Sequence, residues 1–213
     1  MKRFFVTGTG TGVGKTYFTA ALAAAARATG RRVAALKPIE TGCDPAPLDA
    51  EALAASSDYP GIAHFPGAYR ASPPLAPWAA TLSGEGPLDL TALTAAVKRQ
   101  VERFEPAPDL LLVEGAGGIW VPLDAERTVA DLIVALELPV LLVARDGLGV
   151  LSHVLTAVAA ARLSGLELAG VVLARHGPTD PSRATNLTVL RERLDAPVWS
   201  FEREAEAILR ELL

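Results

Sequence analysis

The sequence predicts a single α/β domain, residues 1–213, built as a doubly wound, mostly parallel sheet. Three observations predict it. Short, near-continuous Val/Leu runs alternate with longer helical patterns along the whole chain. Strands that are apolar on both sides belong to a parallel sheet covered by helices on both faces, and the order βαβα gives double winding. Hydrophobic residues make up 50% of the chain, enough for one well-buried core, and no linker or internal repeat divides it.

The elements follow in order. RFFVTG (residues 3–8) reads as the first strand, and an Ala-rich helix over residues 16–29 is placed to end at Gly30. RRVAALK (31–37) reads as the second strand and stops at Pro38. An Asp- and Pro-containing loop leads to a short helix from about Asp49. Residues 59–90 are proline-rich without clear periodicity and read as a long, mostly irregular surface connection, a kind of segment that often carries function. An amphipathic helix over 91–104 precedes DLLLVEGAGG (109–118), a buried strand entering a glycine turn. Beyond it come a helix at 128–138, a strand at 139–144, a helix at 151–165 stopped by glycine and a strand at 168–174. A helix at 183–194, a short strand at 197–201 and a helix at 202–213 complete the chain.

Charge and composition exclude several function classes. The net charge is −4, with Lys and Arg interspersed among Asp and Glu, so no basic stripe points to nucleic acid or a membrane surface. No apolar run reaches the roughly 18 residues of a membrane span. The apolar run after Met1-Lys2-Arg3 is too short for a signal peptide, so a cytosolic location is expected. Cys43 is the only cysteine, which excludes an internal disulfide and a multi-cysteine metal site. Asn186 and Gln100 are the only side-chain amides, a composition that suits either a GC-rich genome or a thermophile.

Three stretches carry chemistry. The first is VTGTGTGVGKT, a strand, a glycine-rich turn and the start of a helix. It resembles the phosphate-binding pattern G-x-x-x-x-G-K-[ST], but the leading position is Thr9, and Gly8 lies one residue early. Such a loop closes backbone N–H groups around phosphate oxygens and points the helix N-terminus at them. Lys15 would reach the β- and γ-phosphates, and the Thr16 hydroxyl would ligate Mg²⁺. A tight βα turn alone would explain the glycines but not Gly14-Lys15-Thr16. In the second, LLLVEGAGG, Glu114 ends a buried strand where a carboxylate is costly unless paired. A neighbouring strand end is where Mg²⁺ would find a further oxygen ligand. Gly115-Ala116-Gly117-Gly118 lets the backbone approach a ligand; a turn-capping Glu is the plainer alternative. In the third, LKPIETG, Lys37 closes the second strand; position alone also fits a solvated strand-end lysine.

Taken together these residues resemble the dethiobiotin synthetase family. Gly8–Thr16 with its offset glycine, ALKPIETG (35–42), LLLVEGAGGIWVPL (110–123) and LPVLLVARDGLGVLSH (138–153) match that family's motifs in order and spacing. The resemblance implies a P-loop NTPase-type fold and a homodimer. It implies conversion of 7,8-diaminopelargonic acid, CO₂ and ATP to dethiobiotin, ADP and phosphate, with Mg²⁺. It places catalysis on Lys15, Lys37 and Thr11, and metal contacts on Thr16, Asp49 and Glu114. Asp49 also suits a plain helix N-cap. Thr41 falls near the carbamate. The substrate's far carboxylate falls at Gly149, Val150, Leu151 and Ser152 of the other subunit, at a helix N-terminus; an ordinary strand-to-helix turn in which His153 packs is the alternative. ATP falls against Gly12, Val13, Gly14, Lys15, Thr16 and Tyr17, against Asp49 and Glu114-Gly115-Ala116-Gly117, and against two C-terminal segments. Those segments depart from the family: Ala174-Arg175 stands where an adenine-reading Asn is usual, and Val198-Trp199-Ser200-Phe201 covers the later base-contacting stretch. Adenine selectivity is therefore open: either backbone groups near Ala174 and Val198–Phe201 contact the base, or the site accepts several nucleotides, and weaker base discrimination than the family pattern is expected.

Two other classes share the fold. A cobyrinic acid diamide synthase-like ligase would need a glutaminase domain, for which 213 residues leave no room. A partition- or division-site ATPase switch carries a second lysine five residues before the loop lysine, where this chain has Gly10.

Overall fold

The computed structural model describes residues 1–59, 61–175 and 180–213. Six strands form one sheet: β1 (Lys2–Gly8), β2 (Val33–Leu36), β5 (Leu110–Gly118), β6 (Val140–Arg145), β7 (Leu168–Ala174) and β8 (Val198–Ser200). Their order is β2-β5-β1-β6-β7-β8 and each pairing is parallel, as double winding requires. Alternate residues of one strand feed opposite cores. Phe5 packs with α4 (Leu90–Glu102), α5 (Val129–Leu136), α6 (Val150–Leu163) and α7 (Asn186–Arg193), whereas Phe4 and Val6 pack against α1 (Lys15–Ala28) and α8 (Phe201–Leu212). Two buried faces account for the unbroken apolar runs in the sequence.

The region between β2 and α4 is more ordered than its composition predicts. Pro38 has no N–H to donate, so β2 stops at Leu36 and the chain leaves the main sheet. It forms β3 (Ile39–Thr41), which pairs in parallel with β4 (Tyr69–Ala71) as a separate two-stranded sheet. Helix α2 (Leu48–Ala55) lies between them, and α3 (Pro77–Leu82) follows with proline in its first turn, where a missing N–H costs nothing. Residues 59–90 thus hold a strand and a helix where an irregular connection is predicted. Three-residue strands carry too little alternation to register in sequence.

The C-terminal elements also shift. The helix predicted over 183–194 is a 3-10 turn, Pro181–Ala184, followed by α7. The Asp180 side chain accepts from Ser182 N at 2.8 Å and starts that turn. Phe201 begins α8 rather than ending the last strand.

Close packing against the sheet makes Gly170 a sensitive position. A Cβ there would lie 2.1 Å from Cζ3 of the buried Trp199 ring and 3.2 Å from Pro197 O. Gly170→Ala is expected to destabilise the fold by about 1–3 kcal/mol, the usual cost of overpacking. Chemical denaturation measures this, and an unchanged midpoint would mean that Trp199 has room to move.

Candidate active site

The sheet order brings three strand ends together. β5 lies between β2 and β1, and its register sets Val113 opposite Leu36 and Glu114 opposite Val6. The next residue after β2 is Lys37, and the loop after β1 is the glycine-rich one. Glu114 therefore lies between Lys37 and the first loop; it does not end its strand as the sequence predicts, because β5 runs on to Gly118 after a shift in its register with β1.

In that loop Gly12 (φ 71°) and Gly14 (φ 97°) occupy the left-handed region, which favours glycine. Gly8 is needed for a different reason: a Cβ there would sit 2.7 Å from Val13 Cγ2, because the loop folds back over it. Lys15 and Thr16 open α1. Lys15 Nζ donates to Gly10 O at 2.8 Å, across the loop. Burial, and then the charge of Lys37, lower the Lys15 pKa to about 8, while Glu114 and Asp49 pull it the other way.

Glu114 has no solvent exposure. It accepts from Thr16 Oγ1 at 2.7 Å, from Thr19 Oγ1 at 2.7 Å and from Lys37 Nζ at 2.5 Å. The Lys37 ammonium also donates to Gly115 O at 3.0 Å and lies 3.3 Å from Asp49 Oδ2. Burial opposes the charge on Lys37, but Glu114 and then Asp49 outweigh it and raise its pKa. Lys37 is not the solvated strand-end residue that position alone would allow.

Asp49 does not cap its helix. Glu40, buried on β3, fills that role by accepting from Asp49 N at 2.8 Å and Ala50 N at 2.9 Å. The Asp49 side chain is left to face Lys37. Sequence reasoning missed Glu40 and Thr19. Thr19 follows Thr16 by three residues, which puts both hydroxyls on one helix face, a spacing that points at the shared carboxylate. Glu40 gives no comparable signal.

Lys15, Thr16, Lys37, Glu40 and Asp49 line a cleft of about 330 Å³, with Glu114 and Thr19 fully buried behind Thr16 and Lys37. Thr11, Gly12, Gly14, Lys15, Thr16 and Tyr17 form one wall, Lys37, Glu40, Thr41 and Asp49 another, and Ala116 and Gly117 the floor. The Asp49 carboxylate and the Thr16 hydroxyl on its lining, with the Glu114 carboxylate bonded to Thr16, are hard oxygen donors of the kind Mg²⁺ takes together with waters and phosphates. Among the described residues, no group of three or more His, Cys, Asp or Glu side chains is placed to hold a metal by itself.

The other predicted residues lie apart from this cleft. Gly149, Val150, Leu151 and Ser152 open α6, with Gly149 left-handed at φ 90°. A second groove of about 350 Å³ lies between Thr9, Thr11 and Val13 on one side and Arg145–Leu148 and His153 on the other. Ala174 ends β7 fully buried. The Arg175 guanidinium donates to Asp146 Oδ2 at 3.0 Å, and its backbone N donates to Glu202 Oε1 at 2.6 Å. Val198 and Trp199 are core side chains, so a base near them would meet backbone only. Ser200 is buried, and among the described residues its hydroxyl has no partner; Phe201 meets Tyr17 and Phe18 edge-on at ring-centre distances of 5.6 and 5.2 Å. No helix among the described residues is long and apolar enough to cross a membrane.

Solved structures share the architecture. The division protein complex MinC:MinD of Aquifex aeolicus aligns with a TM-score of 0.58 and 14% identity, over 93% of this chain and 79% of that one. The signal recognition particle receptor FtsY of Elizabethkingia anophelis in complex with GDP aligns at 0.55 and 16%, over 92% of this chain and 55% of that one. At such identities the likeness concerns the fold, here a P-loop NTPase-type α/β domain. A family model described as an AAA domain matches residues 2–200. An ATP-dependent dethiobiotin synthetase of Anaeromyxobacter dehalogenans (strain 2CP-C) is 41% identical over 98% of this chain and 96% of its own length. The enzyme so named in strain 2CP-1 is 44% identical over 84% and 79%, and that of Nitrosospira multiformis 39% over 92% and 86%. At this identity and coverage, the chain belongs to the ATP-dependent dethiobiotin synthetase family.

Proposed function

We propose that this chain carboxylates 7,8-diaminopelargonic acid with CO₂ and closes the ring to dethiobiotin at the expense of ATP, as an ATP-dependent ligase of biotin biosynthesis. The observation that carries the reading is the convergence of Lys15, Thr16, Lys37 and Asp49 on one cleft beside a phosphate-type loop, with Glu114 bonded to Thr16 and Lys37 from behind.

The chemistry has three steps. A substrate amine adds to CO₂, forming an N–C bond and releasing a proton, to give a carbamate. A carbamate oxygen attacks the γ-phosphorus and ADP leaves, giving a carbamic–phosphoric anhydride. The second amine attacks the carbonyl carbon, phosphate departs, and the five-membered urea closes. Phosphoryl transfer of this kind asks mainly for positioning and for neutralisation of charge. Lys15 is the cation for the transferring phosphate, whose oxygens would take the place of Gly10 O. Lys37 sits between the loop and Thr41, and would hold the carbamate while Thr11 and Thr41 donate hydroxyl hydrogen bonds. Thr16, Asp49 and Glu114 would hold Mg²⁺, which when bound neutralises charge on the phosphate oxygens. The N-terminus of α6, residues 149–152, would take the substrate's far carboxylate across a homodimer interface, opposite a partner's cleft. A direct test is ADP release that requires both diaminopelargonic acid and bicarbonate; release without either substrate would point to a simple ATPase.

Lys15→Ala and Lys37→Ala should each lower product formation on the order of a hundredfold or more, the usual cost of removing one electrostatic donor. Near-normal turnover in Lys37→Ala would remove its assigned role.

Glu114→Gln and Asp49→Asn should both raise the Mg²⁺ concentration needed for half-maximal rate, because each takes away a charged oxygen at the cation site. Superimposable Mg²⁺ titrations would return both carboxylates to purely structural roles.

Base selectivity should be weak. A buried amide paired to a base edge rejects the wrong base by leaving polar groups unpaired, and Ala174 offers no such group. Because Ala174 is fully buried, an introduced amide would bring its own burial cost, so the informative protein is the wild type. Its kcat/KM for ATP, GTP and CTP should differ modestly. Rejection of GTP and CTP by more than roughly a thousandfold, about 4 kcal/mol, would show that backbone groups read the base stringently.

A further inference from the structure

The two oxygens of Glu114 have different partners. Oε1 accepts from Thr16 Oγ1 at 2.7 Å and from Lys37 Nζ at 2.5 Å. Among the described residues Oε2 has one hydrogen-bond donor, Thr19 Oγ1 at 2.7 Å. Thr16 and Lys37 line the cleft and face what binds there. Thr19 is fully buried one turn further along α1, behind the carboxylate.

Burial alone does not orient a carboxylate. The last torsion of Glu, between sp³ and sp² carbons, is broad and close to two-fold, so the group turns easily unless a donor fixes one oxygen. Thr19 is also tied to the loop, because its hydroxyl lies 2.8 Å from Lys15 O. A hydroxyl carries one hydrogen, so Thr19 shares it between the Lys15 carbonyl and Glu114 Oε2. The orientation of the carboxylate is thereby coupled to the backbone of the residue that meets phosphate.

We propose that Thr19 is a positioning residue, whose hydroxyl pins Glu114 Oε2 so that Oε1 stays aimed at Thr16 and at the cation when the Lys37 ammonium turns toward substrate. The inference rests on the reading that Thr16 and Glu114 hold Mg²⁺. Without the hydroxyl, Oε2 becomes a buried acceptor with no partner. The carboxylate then rotates to divide the donors of Thr16 and Lys37 between its two oxygens, and the cation loses a fixed ligand.

The test uses the full chain and no turnover. Affinity for a non-hydrolysable ATP analogue is titrated against Mg²⁺, and measured again in EDTA. Thr19→Val is nearly isosteric and lacks the hydroxyl, Thr19→Ala is a second hydroxyl-free variant should the first not fold, and Thr19→Ser restores the donor. The Mg²⁺ midpoint is expected to rise roughly ten- to a hundredfold in the Val and Ala variants, the range seen when a partner behind a metal ligand is removed. The Ser variant should stay near wild type, and affinity in EDTA should be unchanged throughout. A wild-type midpoint in the hydroxyl-free variants overturns the proposal. So does an equal shift in Thr19→Ser, or a matching loss of affinity in EDTA, since either would mean that Thr19 only packs. A wild-type protein whose nucleotide affinity ignores Mg²⁺ overturns the metal reading beneath it, and this inference with it; ADP release that depends on both substrates would still stand as a separate result.

Discussion

A carboxylate with no access to water sits midway along the central strand β5, and the rest of the site is arranged around it. Desolvating an ionised carboxylate costs several kcal/mol unless charge and hydrogen bonds offset it. For Glu114 that compensation comes from two elements at once: Lys37 follows β2, and Thr16 and Thr19 lie on α1. Neither source is adjacent to Glu114 in sequence. The parallel register supplies the adjacency, by setting Leu36 of β2 and Val6 of β1, both near the carboxyl ends of their strands, on either side of Val113 and Glu114 of β5. In this fold ligands bind at that end of the sheet. The same placement that makes the site possible also makes the buried charge tolerable.

The glycines around Glu114 are closely packed, against backbone in one case and side chains in others. A Cβ on Gly118 would come 3.0 Å from Gly8 O, and one on Gly115 would come 2.7 Å from the Phe5 ring. The glycines of the first and second motifs thus serve each other, letting two loops approach across neighbouring strands. This accounts for the early glycine in the first loop. Thr9, in the usual leading position, is not in the left-handed region, so no glycine is required there. Gly8 is required because Val13 closes over it.

How much of this was legible in the sequence depends on how far each signal reaches. The main strands were legible because two buried faces leave continuous Val and Leu runs, as in LLLV (110–113) and VLLVA (140–144). The residues of the cleft were legible because glycines, Lys15-adjacent hydroxyls and an acid at the end of an apolar run are unusual enough in combination to mark the turns. The short strands β3 and β4 were not, since three residues cannot establish a period and each is stabilised by pairing with a segment 30 positions away (Ile39 with Tyr69, Glu40 with Arg70). Glu40 was invisible for the same reason: its task, holding two backbone N–H groups of α2, is created by tertiary contact. At the C-terminal end, Val198 and Trp199 read as positions near a base, yet their side chains belong to the core; sequence gives the strand but not which face each atom serves.

The two lysines of the cleft divide its charge unequally, and this follows from their partners. Lys37 is matched by Glu114 and Asp49, which hold its proton against burial. Lys15 is nearly as deeply placed, but its one hydrogen-bond partner among the described residues is the neutral carbonyl of Gly10, and the charge of Lys37 works against it. Its pKa falls to about 8 as a result. A cation so poorly compensated gains most from an arriving anion, and the N-terminus of α1 favours the same ligand. Lys37 gains less from a phosphate, because any anion it meets competes with Glu114. In the proposed reaction this asymmetry would let Lys15 take the triphosphate while Lys37, matched by Glu114 and Asp49, would meet the weaker carbamate anion on the Thr41 side of the cleft.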